Sequence, residues 1–148
     1  MLKYRIIASG TEFDRKMRQI LRGPADARTT TLPKSVKTIA KEAFSETISL
    51  KSAILDENLE IIGPGAFQMS GLRRVRISVS TKEIWDHAFS DCRDLKSVEF
   101  AQNCKLTRIG AWCFQNSGLE EVTFPKSLKT IENGAFFGCK RLRTARLN

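Results

Sequence analysis

The sequence predicts an α/β repeat solenoid, in which each coil gives one short strand to a parallel sheet and closes through turns or short helical segments on the other side. Three observations carry this expectation. Phenylalanines recur at Phe44, Phe67, Phe89, Phe114 and Phe136, spaced 23, 22, 25 and 22 residues apart. Around them, an isoleucine stands five residues earlier (Ile39, Ile62, Ile84, Ile109, Ile131) and a small residue immediately before (Ala43, Ala66, Ala88, Cys113, Ala135). A leucine follows five or six residues later (Leu50, Leu72, Leu95, Leu119, Leu142). Beyond each leucine the chain is apolar again, at Ala53, Val75, Val98, Val122 and Ala145, then at Leu55, Ile77, Phe100, Phe124 and Leu147. With 41% hydrophobic residues, a single column would be apolar in all five copies about 1% of the time. Several columns in register exclude chance, and such self-similarity marks a stacked array.

Each column has a physical reading. The Leu-x-x-Val-x-Leu ending alternates over its last positions, the period-2 signature of a strand with one buried face. The Ile-x-x-x-Ala-Phe part does not alternate, and its spacing suits a turn or short helical segment crossing the far side of the coil. The small residue before Phe leaves room for the ring. Such a unit cannot bury its apolar face alone and does so by stacking on its neighbours. The five repeats occupy about 33–55, 56–77, 78–100, 101–124 and 125–147, within a repeat region of 32–148. The fourth is longer, so residues 101–105 are expected to form an irregular loop. Because the last repeat ends on a strand, its apolar end is expected to meet further repeats of a longer protein or a partner.

Residues 1–31 read as an N-terminal cap segment. Phe13, Met17, Ile20 and Leu21 stand at i, i+4, i+7 and i+8, one face of a short amphipathic helix near 12–22, with Gly23 and Pro24 as its stop. Terminal repeats need shielding for solubility, which makes a cap the favoured role over a membrane-surface or partner-binding helix. Ala27, Thr30 and Leu32 can be laid on Leu119, Val122 and Phe124, as a degenerate strand of a preceding coil.

The unit Leu-x-x-Ile-x-x-x-Ala-Phe-x-x-Cys-x-x-Leu-x-x-Val-x-Leu-Pro resembles the BspA-like class of leucine-rich repeats, and KSLKTIENGAFFGCKRL at 126–142 is a close match. The pattern departs at its cysteine column, filled by Cys only at Cys92 and Cys139, and at its proline, present only as Pro33 and Pro125. The resemblance implies a right-handed leucine-rich repeat superhelix with one parallel β-sheet on the concave face. Its defining residues are core residues, so it speaks to architecture more than to activity. Members it resembles include surface proteins implicated in adhesion to host or matrix proteins, which implies a scaffold, recognition or adhesion role.

Composition narrows the rest. A chain of 148 residues with 28% charged residues is an ordinary globular domain. Its apolar runs are too short for a transmembrane segment. The opening has no 7- to 15-residue apolar core of a signal peptide. Without a signal peptide or a disulfide framework the reading leans to the cytoplasm, while the cell surface is what the resemblance implies. Cys92 and Cys139 lie two coils, roughly 10 Å, apart, too far for a disulfide. Cys113 fills the small-residue column, and Cys104, in the loose loop, is the one candidate reactive thiol. His87, the only histidine, shares its column with Glu42, Gly65, Trp112 and Gly134, a surface turn. No base stands beside a nucleophile, no C-x-x-C is present and Glu120 and Glu121 diverge along a strand, so no enzyme, metal or cofactor is expected. Trp85 and Trp112 are candidates for exposure on the arc.

What remains is surface. Positions flanking the Val column point away from the core, and parallel stacking makes them one sheet face: Lys51; Arg73, Arg74 and Arg76; Lys96 and Glu99; Glu120 and Glu121; Arg143 and Arg146. Repeat proteins commonly bind through such extended surfaces. Alternating basic and acidic bands suit a protein partner better than a uniform polyanion. The net charge of +9, about equally divided between the first 31 residues and the repeats, keeps a nucleic acid or an anionic membrane as the alternative partner.

Overall fold

The computed structural model describes residues 12–13, 18–23 and 26–148. In chain order its strands are β1 (Glu12–Phe13), β2 (Gln19–Arg22), β3 (Thr29–Thr31), β4 (Thr38–Ile39), β5 (Ser52–Ile54), β6 (Ile61–Ile62), β7 (Arg74–Ile77), β8 (Glu83–Ile84), β9 (Ser97–Phe100), β10 (Arg108–Ile109), β11 (Glu121–Phe124), β12 (Thr130–Ile131) and β13 (Thr144–Leu147). They form two ladders, one on each side of the coils. The long-stranded sheet runs β3-β5-β7-β9-β11-β13, and the short-stranded sheet runs β1-β2-β4-β6-β8-β10-β12. All neighbours are parallel except β1, which lies antiparallel to β2.

The sequence columns become ladder rungs. Ala53, Val75, Val98, Val122 and Ala145 are register partners in succession along the long-stranded sheet. Their neighbours in each strand alternate outward, as a half-buried strand requires. Ile20, Ile39, Ile62, Ile84, Ile109 and Ile131 pair in the same way along the short-stranded sheet. Between the sheets the phenylalanines stack. Phe44, Phe67, Phe89 and Phe114 are fully buried, with successive ring centroids 5.1, 5.3 and 5.3 Å apart and planes within 7°. Phe136 extends the stack at 5.2 Å.

The expected helical segments are absent among the described residues; each arc is a run of tight turns. The reason is backbone conformation. The residue two before each Phe (Glu42, Gly65, His87, Trp112, Gly134) and the residue two after it (Glu46, Met69, Asp91, Asn116, Gly138) all have φ between 54° and 70°. A right-handed helix cannot pass through such left-handed positions. Backbone bonding agrees: Phe44, Phe67, Phe89 and Phe114 donate their N–H groups to Ala66, Ala88, Cys113 and Ala135 of the following coil, at 2.7 to 2.8 Å. The hydrogen bonds of the arc therefore run between coils instead of along a helix.

The expected N-terminal helix near 12–22 is also corrected: β1 and β2 occupy its two ends, while residues 14–17, with Met17, lie outside the described residues. Ile20, read from sequence as one position of a helical face, is the buried rung beside Ile39. Gly23 then donates to the Ala43 carbonyl at 2.6 Å. A Cβ on Gly23 would fall 2.0 Å from Phe44 Cε1, so only glycine lets the backbone close over the first ring of the stack. Ala27, Thr30 and Leu32 are buried, and Thr30 pairs with Ala53. Residues 18–23 and 26–32 thus belong to a further, shortened coil.

The cysteines are structural. Cys92 Sγ donates to the Phe67 carbonyl and Cys139 Sγ to the Phe114 carbonyl, each at 3.0 Å. Thr47, Ser70 and Ser117 fill the same column in other coils, buried, and Ser70 and Ser117 lie 3.4 and 3.3 Å from the two thiols. The column therefore asks for a small hydrogen-bonding side chain, which is why Ser and Thr replace Cys there. Cys104, read from sequence as the one candidate reactive thiol, is buried, with its Sγ 3.3 Å from the Ser78 carbonyl. Burial pushes its thiol pKa up. The loop around it is irregular as expected, with Asn103 at φ 57°.

Candidate interaction surface

The charged residues singled out from sequence gather on the outer side of the long-stranded sheet, in rows set by strand register. Arg74 and Arg76 stand on β7, Glu99 on β9, Glu121 on β11 and Arg146 on β13, all exposed. Arg76 is the register partner of Glu99, and Thr123 that of Arg146. Lys51, Arg73, Lys96, Glu120 and Arg143 occupy the residue just before the strands. They form a second row through their own backbones, since each N–H donates to the corresponding residue of the preceding coil: Arg73 to Lys51, Lys96 to Arg73, Glu120 to Lys96 and Arg143 to Glu120, at 2.9 to 3.2 Å. Lys51 donates in turn to Arg28 at 2.8 Å. Arg28 therefore heads this row. It was missed because its coil is degenerate, although the match of Ala27, Thr30 and Leu32 to the repeat already places it one residue before a strand.

The two sheets treat their charges differently. On the short-stranded side Glu60 binds Lys37 at 2.6 Å and Lys82 at 2.7 Å, bridging three coils. Hydrogen bonds from these two lysines hold the Glu60 carboxyl down at about 2. Arg108 reaches Glu132 at 2.7 Å and Asp86 at 3.1 Å, with its guanidinium 5.0 Å from the centre of the Trp85 ring. On the long-stranded side, of the ten residues named from sequence only Lys51 has an ion-pair partner among the described residues, Asp94 at 3.7 Å. Even Arg76 and Glu99, on adjacent strands, do not close on each other.

An open groove of about 1230 Å³ crosses the C-terminal half of this face. Arg76, Glu99, Thr123 and Arg146 line its floor, and Gln102 and Lys126 belong to its rim. Gln102 belongs to the extra residues of the fourth coil after β9, and Lys126 to the start of the fifth coil after β11. Sequence reading did not include Gln102 or Lys126; the longer spacing between Phe89 and Phe114 was the available signal for Gln102.

Elsewhere, Trp85 and Trp112 are 39% and 36% exposed, and Trp112 meets Phe137 edge-on at 5.5 Å. His87 is half-buried in the left-handed turn column. The four cysteines are unpaired with one another, and burial raises the Cys92 thiol to about 11. Among the described residues no cluster of three or more His, Cys, Asp or Glu could hold a metal ion, and no helix is long and apolar enough to cross a membrane.

The sequence pattern of the BspA-type leucine-rich repeat region matches residues 24–143, in 6 copies. The chain belongs to this family. The sixth copy accords with the shortened coil before β4. No curated protein matches the chain by sequence. Among solved structures, the chain is similar to the pneumococcal vaccine antigen PcpA, with 31% identity over 92% of this chain and 32% of that one, and a TM-score of 0.72. It is similar to the T. pallidum leucine-rich repeat protein TpLRR, with 27% identity over 91% and 66% of the two chains and a TM-score of 0.81. A leucine-rich repeat protein from Bacteroides ovatus matches with 25% identity over 88% and 36%, with a TM-score of 0.74. The chain spans about a third to two thirds of the length of these three proteins.

Proposed function

We propose that this chain is a non-catalytic protein-recognition module, of the scaffold or adhesion kind, that binds through the outer, concave face of the long-stranded sheet. The observation that carries the reading is the contrast in charge pairing between the two sheets. On the short-stranded side Glu60 and Arg108 each bind charges of two other coils and so brace the stack. Those on the long-stranded side are held in rows by the backbone yet leave their hydrogen-bonding capacity to an incoming surface. Repeat proteins use extended faces of this kind, and fixed charges of both signs favour specificity and fast encounter with a complementary protein. Glu99, Glu120 and Glu121 sit among the arginines, where a nucleic-acid backbone or anionic membrane would meet repulsion.

The test is capture of binding proteins on the immobilised chain after nuclease treatment, at about 50 and 300 mM salt, which separates counterion-driven retention from specific contact. A discrete protein should survive both conditions and be lost when Arg73, Arg74 and Arg76 are changed to Glu, with the melting temperature unchanged. Retention of nucleic acid alone, and only at low salt, would overturn the reading in favour of a polyanion. Capture that is indifferent to the three substitutions would move the site to another face.

A further inference from the structure

Resting on the reading above, the geometry points to an extended peptide segment with the charge order acidic-x-basic-x-acidic as the ligand of the groove across β7, β9, β11 and β13. The floor row carries Arg76, Glu99, Thr123 and Arg146, one from each of four consecutive strands. Register fixes two of the three steps directly, Arg76 to Glu99 and Thr123 to Arg146. The pairing of Val98 with Val122 sets Thr123 next in line after Glu99. Adjacent strands lie about 4.8 Å apart, so the two arginines stand roughly 14 Å apart across the strands.

An extended chain rises about 3.4 Å per residue and presents i, i+2 and i+4 on one face, at roughly 7 and 14 Å. Two carboxylates at i and i+4 therefore reach Arg76 and Arg146 together. The residue at i+2 falls about 7 Å from Arg76, some 2 Å past Glu99 at one strand spacing, while Glu121 stands two residues along β11 from the row. Glu121 also lines the groove. A lysine or arginine there meets the Glu99 carboxylate, and an acidic residue meets repulsion. A helical ligand fits poorly, because turns of one helix face repeat at about 5.4, 10.8 and 16.2 Å and miss the arginine spacing. Neither arginine nor either glutamate is ion-paired among the described residues, so no internal bridge has to break before the peptide binds.

Fluorescence anisotropy with labelled peptides tests this directly. The probe peptide is Gly-Asp-Gly-Lys-Gly-Asp-Gly; the controls are a permuted peptide of the same composition with its aspartates adjacent, and the charge-inverted Gly-Lys-Gly-Asp-Gly-Lys-Gly. The probe should bind at least about tenfold more tightly than either control, the equivalent of one lost charge contact. The variant Arg76→Glu/Glu99→Lys/Arg146→Glu should exchange this preference for the inverted peptide. Equal affinity for probe and permuted peptide, or an unchanged preference in the variant, would overturn the assignment. If the peptides fail to discriminate while protein capture still depends on the three arginines of β7 and its approach, the charge order is wrong and the recognition surface stands. Loss of both dependences removes the surface as well.

Discussion

Replacing Phe89 by alanine tests the physical basis of the fold. Phe89 is fully buried and lies between Phe67 and Phe114, each 5.3 Å away with planes 6° and 2° from parallel. Truncating a buried Phe costs about 3–5 kcal/mol. Losing two aromatic neighbours, each worth about 0.5–1.5 kcal/mol beyond area burial, places the expected cost near the upper end, about 4–5 kcal/mol. At about 2–4 °C per kcal/mol for a chain of this size, the melting temperature should fall by about 10–20 °C. Phe136 has one stacked neighbour, with Phe124 meeting it edge-on at 5.6 Å, and is only partly buried, so Phe136→Ala should cost about 1.5–3 kcal/mol. Urea unfolding of the two variants side by side measures the gradient. If Phe89→Ala proved no more costly than Phe136→Ala, the continuous stack would not be the core of the molecule.

Three further outcomes are expected. Gly134 has φ +67° and a Cβ there would stand 2.5 Å from Trp112 Cε3; Gly134→Ala should destabilise by about 2–3 kcal/mol, falling to about 1 kcal/mol, the left-handed backbone cost alone, when Trp112 is also alanine. Glu60 has its folded pKa lowered from 4.5 to about 2, so its pairing with Lys37 and Lys82 stabilises fully above about pH 4.5 and is lost as pH falls towards 2. Wild type should therefore exceed Glu60→Gln by up to about 1 kcal/mol at pH 7, allowing for solvent screening, and the difference should vanish near pH 2; a difference constant with pH would contradict the bridge. Cys92→Ser should be nearly neutral, whereas Cys92→Ala, which removes the donor to the Phe67 carbonyl, should cost about 1 kcal/mol in thermal or urea unfolding.

The solenoid was legible because its columns are apolar, large and repeated: Phe, Ile and Leu in register leave little choice of architecture. The second sheet was not, because within the repeats its strands are two residues long, as in Thr38–Ile39. Two residues cannot display an alternation. The left-handed turn column was visible as a variable one, but only Gly65 and Gly134 announce a positive φ, while Glu42, His87 and Trp112 hide it. Ile20 was drawn into a helical pattern because its coil is shortened, so the fixed spacing that identifies the other isoleucines does not reach it. The outward direction of the arginines and glutamates followed from strand alternation. Their lack of partners did not, since pairing depends on which residues 22 or 23 positions away stand beside them, as Lys37, Glu60 and Lys82 do on the other sheet.

If charges on the long-stranded sheet serve recognition and those on the short-stranded sheet brace the stack, matched charge reversals on the two faces should separate the two effects. Binding to the captured protein partner and thermal stability would be measured for Arg74→Glu/Arg76→Glu/Arg146→Glu and for Lys37→Glu/Lys82→Glu. The first variant should lose binding with stability unchanged within about 0.5 kcal/mol, as for unpaired surface positions. The second should lose about 1–2 kcal/mol of stability through like-charge repulsion across adjacent strands while still binding. Binding that survives the first set of substitutions, or is abolished by the second in a folded protein, would contradict the assignment of recognition to the long-stranded sheet.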